Sequence, residues 1–566
     1  MKKLYIALFL GTLSLSAQQD KDSISTEVIN VITSYKPSIS DAFKANESPK
    51  ISIQSSDKNN IKYGIKSTPI QSIFKPYSGS YKSAITNYSK SGYTNYVKVG
   101  YGNYGTPLLE GFLYKKKKKH EAEFILYNKS SSGGIKDVVL DDKYLMTKLA
   151  LNYKNTQKKQ IWEAGISYQR DIYNWYGIPF LYEDSVIDAI NEKQTYNYFT
   201  LKGNIQLKEG VLKKAEGSLD IFSDKHKSKE SRFYFSSSFE LPINDHKILA
   251  KANINILDGE FAQDYTNTGA IEYGYLNFVA EINYPIEREN LYISLGAKIN
   301  YNSDIENNTS KLYIYPNINI NFVMIDELLN LYGGFTGGII QNSYRSITLE
   351  NPYVSPTLNI KPTSNTFRLF AGFKGKLTSR ISYDVNASYS QDEDKLLFRS
   401  NKNLTDGTTT VSNGYQAGNS FYALYDNTTT LGLYGELSAS LLKNIETGIS
   451  LSINSYSMNN EDEPWNLPSY IATAFGTYTF GKWKTKAELF AKGKRNDLII
   501  DSNDAETLVE LDGYLDLNIS ADYIFNRKWS AFIQLNNILN TNYQVYSNFQ
   551  VQGFQVLAGG VYHFDF

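Results

Sequence analysis

The sequence contains no cysteine, and its 566 residues include only 14 prolines, 4 methionines and 4 histidines. Without cysteine the chain has no disulfide framework, no thiolate metal site and no lipid-modified N-terminal cysteine. Its 58 positive and 58 negative side chains cancel, and the one basic block is the lysine run at 115–119. The chain therefore lacks the electrostatic footprint of a nucleic-acid-binding protein.

The sequence is rich in tyrosine, with 46 tyrosines and 29 phenylalanines. A soluble core is built mainly from leucine, isoleucine and valine. Surplus tyrosine indicates instead a large surface where aromatic rings meet both apolar material and water. At 41% hydrophobic and 20% charged residues, the chain is also not a disordered one.

The first residues predict export. Lys2 and Lys3 precede an apolar stretch at 4–15, which closes with Ser16 and Ala17. This pattern is typical of a secretory signal peptide comprising residues 1–17, and the stretch is too short to span a bilayer. No later apolar run is long enough for a transmembrane helix. An exported chain of this kind is then either soluble in the envelope or a membrane β-barrel.

From Tyr93 onward the sequence alternates apolar and polar residues in segments of roughly ten residues. In the segment 511–525, apolar residues such as Leu515 and Ile519 alternate with polar residues such as Asp516 and Asn518. Segments 198–207 and 247–256 show the same period. One face of each predicted strand therefore suits hydrocarbon, and the other face suits water.

The lengths of the connections decide between a soluble sandwich and a barrel. Short and long connections alternate without exception along about 22 segments, and this is the layout of an outer-membrane barrel. The short ones fall near 115–120, 155–160, 208–210, 242–246, 285–290, 325–328, 377–380, 442–444, 480–482 and 526–528, and the long ones include 171–194, 258–271, 341–365, 391–427, 458–467 and 492–507. The sequence therefore predicts an all-β fold, a transmembrane antiparallel β-barrel of about 22 strands with short periplasmic turns and long extracellular loops.

This fold predicts a location in the outer membrane of a Gram-negative bacterium, in contact with its lipids. Weak segments at 108–115 and 421–426 leave about 20 or about 24 strands open as alternatives. The predicted organisation is a signal peptide at 1–17, a periplasmic or lumen-filling segment at 18–92, and the barrel at 93–566.

The last strand carries a candidate assembly signal. Tyr562, Phe564 and the terminal Phe566 share one face, which we assign to lipid. A terminal aromatic residue on that face resembles the signal by which barrel-assembly machinery recognises its clients. The alternative is an ordinary last strand.

Two segments resemble a known family. The sequence LNNILNTNY at 535–543 is similar to the N-L-F-N-x-x-Y element that precedes the last strand of TonB-dependent receptors, and EVINVITSY at 27–35 is similar to the stretch that begins with their TonB-contacting box. The resemblance covers the barrel and is strongest over the last 60 residues. It implies a receptor or transporter with a TonB-type energy transducer as partner. The segment 18–92 is too short for the family's full plug, and is at most a truncated one.

The sequence offers little for catalysis. The histidines His120, His226, His246 and His563 have neither the spacing of a metal site nor a nucleophile elbow nearby, and we interpret His120, His226 and His246 as surface residues in turns or loops. We therefore predict no enzyme activity, no catalytic residue, no metal and no cofactor.

Four acidic residues form the candidate site. Glu510, Asp512, Asp516 and Asp522 are expected to face the lumen along one strand. They bind cations, repel anions, or belong to a wall balanced by lysines such as Lys486 and Lys492.

Two classes of function follow. In the first, the barrel is a porin-like transporter or receptor, whose outer loops capture a ligand at the cell surface. In the second, the barrel is a scaffold that docks envelope lipoproteins or assists the assembly or secretion of outer-membrane proteins. A barrel of this size is wide, so its lumen must be filled by the segment 18–92, by inward-folded loops or by a partner.

Overall fold

The structure is a computed structural model, which describes residues 95–243, 246–442 and 444–565. In these residues the chain forms 26 strands and two short helices. Their bounds, in chain order, are β1 Asn95–Gly102, β2 Thr106–Lys117, β3 His120–Ser131, β4 Tyr144–Thr156, β5 Gln160–Asn174, α1 Asp184–Ala189, β6 Lys193–Leu207, β7 Leu212–Asp224, β8 Lys229–Ile243, β9 His246–Phe261, β10 Ile271–Arg288, β11 Leu291–Asp304, β12 Thr309–Ile325, β13 Leu329–Ile340, α2 Tyr344–Glu350, β14 Thr363–Thr378, β15 Ile381–Ser400, β16 Phe421–Leu442, β17 Ile445–Met458, β18 Tyr470–Phe480, β19 Trp483–Lys492, β20 Arg495–Ile500, β21 Glu506–Leu511, β22 Tyr514–Ile524, β23 Trp529–Asn536, β24 Gln544–Tyr546, β25 Phe549–Gln550 and β26 Gln555–Phe564. Neither helix is long and apolar enough to cross a bilayer.

The main sheet is a closed barrel. It has 22 strands, namely β1–β19, β22, β23 and β26, and each pairs in antiparallel fashion with its neighbours along the chain. The first and last strands close the ring, from Asn95 opposite Phe564 to Gly102 opposite Leu557. The predicted fold class and strand number are confirmed, and the two weak segments lie in β2 and β16.

The outside of the barrel is apolar. Leu201, Leu219, Leu431 and Ile449 are 49%, 41%, 54% and 55% exposed, and each points away from the lumen. Burying apolar surface is worth about 25 cal/mol per Å². A wall of exposed leucine and isoleucine is therefore stable only against lipid, in keeping with the predicted outer-membrane location.

All ten predicted short turns join consecutive strands at one end of the barrel, which is the periplasmic end by the layout of outer-membrane barrels. Long loops lie at the other end, the outer mouth. The predicted strict alternation is wrong at three places, because the outer connections 103–105, 225–228 and 305–308 are also short.

The predicted loop at 391–427 is too long. Strand β15 continues to Ser400, and β16 already begins at Phe421. Alternation fails there because both faces are covered: the adjacent residues Leu397 and Phe398 are 0% and 4% exposed. Period two signals a strand only where one face meets lipid or solvent.

The barrel wall is uneven in height. Strands β14, β15 and β16 have 16, 20 and 22 residues, whereas β19, β22 and β23 have 10, 11 and 8. At about 3.3 Å per residue, the longest strand runs for roughly 70 Å and the shortest for roughly 26 Å. One side of the outer rim therefore stands well above the other.

Candidate functional site: the outer cap and the lumen wall

Five outer loops fold against one another and form what we call the outer cap. They are the loops 132–143, 175–192, 341–362, 401–420 and 537–554. Together with the outer ends of the strands, they contain the largest cluster of buried apolar side chains. Among its large members, Trp175, Tyr344, Tyr353, Tyr415 and Phe549 are each at most 1% exposed. The surplus tyrosine of the sequence is thus used partly in a packed core above the lumen.

Helix α2 is held at its N-terminus by its own capping box and by a buried carboxylate. Ser343 and Ser346 form the box, in which each side chain accepts from the other residue's backbone N–H. Glu230, at the outer end of β8, accepts from the N–H groups of Tyr344 at 2.5 Å and Arg345 at 3.1 Å. A carboxylate at a helix N-terminus complements the positive end of the helix dipole. This contact fixes the loop 341–362 to the wall at β8.

A second carboxylate and one arginine extend this attachment. Asp224, at the end of β7, accepts from the Tyr344 hydroxyl at 2.8 Å. The guanidinium of Arg345 lies 4.5 Å from the centre of the Tyr198 ring and 3.9 Å from the Asp171 carboxylate. Both Arg345 and Asp171 are buried. The loop 341–362 is thus bound to β5, β6 and β7 as well as to β8.

Stacked rings join the middle of this loop to the last outer loop. Tyr353 and Phe549 stack with their centroids 3.8 Å apart. The Trp175 indole N–H donates to the Tyr353 carbonyl at 3.2 Å, and the Tyr176 hydroxyl donates to the Gln550 carbonyl at 2.7 Å. Three loops that are far apart in sequence therefore meet around Tyr353.

The loop 401–420 locks onto the loop 175–192. The Asn419 amide donates to the Trp175 carbonyl at 2.6 Å, and the Tyr182 hydroxyl donates to the Ala417 carbonyl at 2.8 Å. Gly418 has a φ of +69°, and a Cβ there would lie 2.9 Å from the Pro179 ring, so a larger residue is strained and displaces its neighbours.

The far end of α2 reaches the opposite side of the mouth. The Tyr546 hydroxyl of the loop 537–554 donates to the Glu350 carbonyl at 3.2 Å. Arg495 holds the same loop, because its guanidinium donates to the Gln544 carbonyl at 2.8 Å and to the Val545 carbonyl. The loop 341–362 starts and ends at β13 and β14, and contacts both β5–β8 and the loop before β26. It therefore crosses the outer mouth.

His226 belongs to this cap, contrary to its interpretation as a surface residue. Its ring packs 5.4 Å from that of Trp175 and 5.3 Å from that of Tyr415. Burial, aided by the charge of Lys225, lowers the pKa of His226 to about 4. The imidazole is therefore neutral at physiological pH. No periodicity in the sequence marks a single histidine in a four-residue turn as half-buried.

The lumen wall below the cap is polar. A cavity of about 520 Å³ lies against the inner faces of β2–β8. Its carboxylates are paired: Lys154 lies 2.9 Å from Glu163, which also accepts from the Asn204 amide at 3.0 Å, and Lys116 lies 2.8 Å from Glu121. Such a wall suits a water-filled passage.

The four predicted lumen residues do not share one strand. Asp516 and Asp522 lie on the inner face of β22, and Asp516 accepts from the Tyr543 hydroxyl at 2.7 Å. Glu510 lies in β21, outside the barrel sheet, and Asp512 lies in the link before β22. Both are exposed and pair with Lys494. The predicted single line of carboxylates is wrong because the alternating pattern runs through two strands that belong to different sheets.

The predicted assembly signal lies partly outside the described residues. Tyr562 and Phe564 stack at 5.7 Å, and Tyr562 also packs 4.7 Å from Trp529. Phe566 is not among the described residues. The role of these rings in assembly stays a prediction. His563, on the opposite face of β26, packs against Tyr96 at 6.1 Å.

Within the described ranges, no group of three or more His, Asp or Glu side chains is placed to hold a metal ion. The runs of consecutive acidic residues at 392–394 and 461–463 contain side chains with structural partners. Asp392 pairs with Lys395 at 2.7 Å, and Glu461 pairs with Arg399 at 3.1 Å.

Glu350 gives the cap a pH dependence. Burial raises the pKa of Glu350 to about 7, although the charges of Lys492 and Lys395 oppose the rise. The folded cap thus binds the proton more tightly than the unfolded loop, whose carboxyl titrates near 4.5. Cap stability is therefore greatest below pH 4.5, decreases between pH 4.5 and about 7, and stays lower above that range.

We expect Glu350→Gln to stabilise the cap at pH 8 by about 1–3 kcal/mol and to leave it nearly unchanged at pH 4.5. Hydrogen exchange of the loop 341–362, compared between variant and wild type at each pH, measures this difference. Glu306→Gln, which removes an exposed carboxylate from another outer turn, is the control and should change neither value. A cap that is less stable in Glu350→Gln than in wild type at pH 8 would contradict the assignment.

No protein-family model matches this chain, and no curated protein matches it. Solved structures do. FpvA from Pseudomonas aeruginosa, solved with heterologous pyoverdines, has a TM-score of 0.61 and 10% identity over 83% of this chain and 72% of its own. The FrpB iron transporter from Neisseria meningitidis has a TM-score of 0.62 and 10% identity over 83% and 82%. The siderophore receptor PirA from Acinetobacter baumannii has a TM-score of 0.61 and 11% identity over 83% and 80%.

Identities of 10–11% show a shared fold. The described barrel thus resembles the barrels of TonB-dependent receptors, as the segment 535–543 predicts. The other segment that carries the resemblance, 27–35, lies outside the described residues.

Proposed function

We propose that this protein is an outer-membrane receptor that captures a small ligand at the cell surface and passes it through the barrel after the outer cap opens. The observation that carries the proposal is the outer cap itself. Five loops close the mouth of a wide barrel whose lumen wall is polar below them. A cap held by hydrogen bonds and ring stacking is a structure that a bound ligand can rearrange.

The ligand class to test first comes from the structural neighbours. FpvA is bound to pyoverdines, FrpB is an iron transporter, and PirA is a siderophore receptor. We propose an iron–siderophore complex as the first candidate ligand, and a TonB-type transducer acting on 27–35 as the source of energy. The neighbours favour transport over the scaffold alternative and over an enzyme. The division of the chain at residues 17 and 92 stays a prediction, because both boundaries lie outside the described residues.

A disulfide that locks the cap tests this function. Val354 and Phe421 face each other in a parallel bridge, with the Ser355 N–H donating to the Phe421 carbonyl at 2.9 Å. Cysteines at such bridged positions lie within disulfide reach, and the chain has no cysteine of its own. We expect Val354→Cys/Phe421→Cys to abolish ligand uptake when oxidised and to restore it when reduced.

Three strains are compared: one with the wild-type gene, one with the gene deleted, and one that produces the Val354→Cys/Phe421→Cys variant. Uptake is measured as the depletion of solutes, including ferric siderophores, from the medium. The single variant Val354→Cys is the control, and should respond to neither oxidant nor reductant. If no solute is depleted faster by the wild-type strain than by the deletion strain, the receptor proposal fails.

A further inference from the structure

The outer loop 493–513 contains a small sheet of its own. Strands β20 and β21 pair in register from Arg495 opposite Leu511 to Ile500 opposite Glu506. This hairpin lies outside the barrel sheet. It is therefore a separate surface element beside the outer cap.

Strand β20 has partners on both edges. One edge pairs with β21, while the other receives hydrogen bonds from the Asn403 N–H to the Ile500 carbonyl and from the Asn466 N–H to the Asn496 carbonyl, both at 2.9 Å. The buried Asp497 carboxylate also accepts from the Ser400 hydroxyl at 2.8 Å. These contacts fix the hairpin to its neighbours and present β21 in one orientation.

Strand β21 has a partner on one edge only. Among the described residues, no backbone hydrogen bond reaches its other edge. Leu508 is 58% exposed, and the neighbouring Thr507 and Val509 are β-branched residues that favour strands. Alternate N–H and C=O groups of β21 are thus available to a further strand.

Natural sheets usually protect such an edge. Lysine, proline or a β-bulge on the edge strand prevents pairing with another chain. The sequence ETLVEL of β21 has no lysine and no proline, and its pairing with β20 shows no register shift. The edge is therefore open to addition of a strand, which is a recognised mode of peptide binding.

The charge around this edge selects the partner. Acidic residues outnumber basic ones at the surface of the loop 493–513, where Asp504, Glu506, Glu510, Asp512 and Lys494 are exposed, while Asp497 and Arg495 are buried. Lys494 and the neighbouring Lys402 neutralise only part of this charge. Glu506 and Glu510 lie on the same face of β21 as Leu508, because side chains alternate along a strand. From the open edge and this charge, we propose that β21 docks an extended, basic polypeptide segment as a third strand of the hairpin.

Arg495 connects the hairpin that would bind this segment to the outer cap. This residue begins β20 and binds two carbonyls of the loop 537–554. An added strand that stiffens the hairpin thus also steadies that loop. The inference concerns a polypeptide partner at the surface, and it stands independently of the proposed small ligand.

Disulfide trapping tests the proposal in the full-length protein, since the chain contains no cysteine. The probe is a synthetic peptide that alternates lysine and valine around one cysteine, whose sulfur is activated as a 2-pyridyl disulfide, so that attack by the protein thiolate releases 2-thiopyridone. We expect the peptide to react with Leu508→Cys about tenfold faster than with Leu181→Cys, a control on the loop 175–192 that is 93% exposed in the wild type. Heat-modifiable migration in gels confirms that both variants form the barrel.

Two further peptides separate strand addition from simple charge attraction. Proline at alternate positions removes the N–H donors and should bring the rate at Leu508→Cys down to that of the control. Glutamate in place of lysine should do the same. Equal rates at the two cysteines with the lysine peptide, or an unchanged rate with either altered peptide, would overturn the proposal.

Discussion

Replacing residues 341–362 with a four-residue Gly-Ser turn is expected to open the barrel to small solutes. This loop crosses the outer mouth, and its removal takes away α2, Tyr353 and the contacts made by Glu230 and Asp224. Ile340 and Thr363 are paired neighbours in β13 and β14, so a short turn closes the hairpin without distorting the wall. A barrel of 22 strands has a wide interior.

We expect sugar flux into proteoliposomes to rise about tenfold or more above that of wild type. The control is a Gly-Ser replacement of 305–308, a short outer turn that is not part of the outer cap. Its flux should equal that of wild type. Unchanged flux through the variant without the loop 341–362 would show that another part of the molecule closes the lumen.

Substituting Phe549 by alanine is expected to release the loop 537–554 from the cap. Phe549 is fully buried, and its ring packs against those of Tyr353 at 3.8 Å, Tyr176 at 5.0 Å and Phe421 at 5.7 Å. Loss of a buried phenylalanine ring costs about 3–5 kcal/mol. Because the surrounding barrel is held by its own ladders, we expect this cost to appear as local opening of the cap rather than as unfolding of the barrel.

Hydrogen exchange resolved by peptide measures this opening. Amides of the loop 537–554 should exchange about a hundredfold faster or more in Phe549→Ala, while amides of β22 and β23 keep their wild-type rates. Phe554→Ala is a matched control, since this ring belongs to the same loop but is 37% exposed in the wild type. Equal effects of the two substitutions would contradict a central role for the Tyr353–Phe549 stack.

The barrel was predictable because lipid outside and water inside impose opposite demands on successive residues. Leu515 and Ile519 face outward and Asp516 and Asn518 inward, as alternation requires. The same rule of alternation gives a wrong assignment for residues outside the membrane. It carries Glu510 and Asp512 into the barrel wall, since the alternation of β22 extends back along the sequence through Asp512 to the end of β21.

The outer cap cannot be predicted from the sequence, and the reason is a different one. Its contacts join residues that local patterns do not relate: Tyr353 stacks on Phe549, and the Glu230 carboxylate caps a helix that begins at Tyr344. From the sequence it follows only that a wide lumen must be filled. Inward-folded loops are one of three possibilities, beside the segment 18–92 and a partner. One usable signal is the presence of aromatic residues within the long polar loops. Aromatic side chains are unfavourable in a fully solvated loop, so their presence indicates that these loops pack against other parts of the protein.

The uneven height of the barrel decides from which direction the molecule can be approached. Strands β14–β16 extend far outward on one flank, whereas the barrel strands β19, β22 and β23 on the other flank are short, and the loop hairpin β20–β21 continues that flank outward. A large macromolecule, such as an antibody or a bacteriophage tail fibre, that approaches from above the lipopolysaccharide contacts the long strands β14–β16 before the rest of the barrel wall. On the short flank, the hairpin β20–β21 controls the approach instead, because it reaches the tip of β15, where the Asp497 carboxylate accepts from the Ser400 hydroxyl.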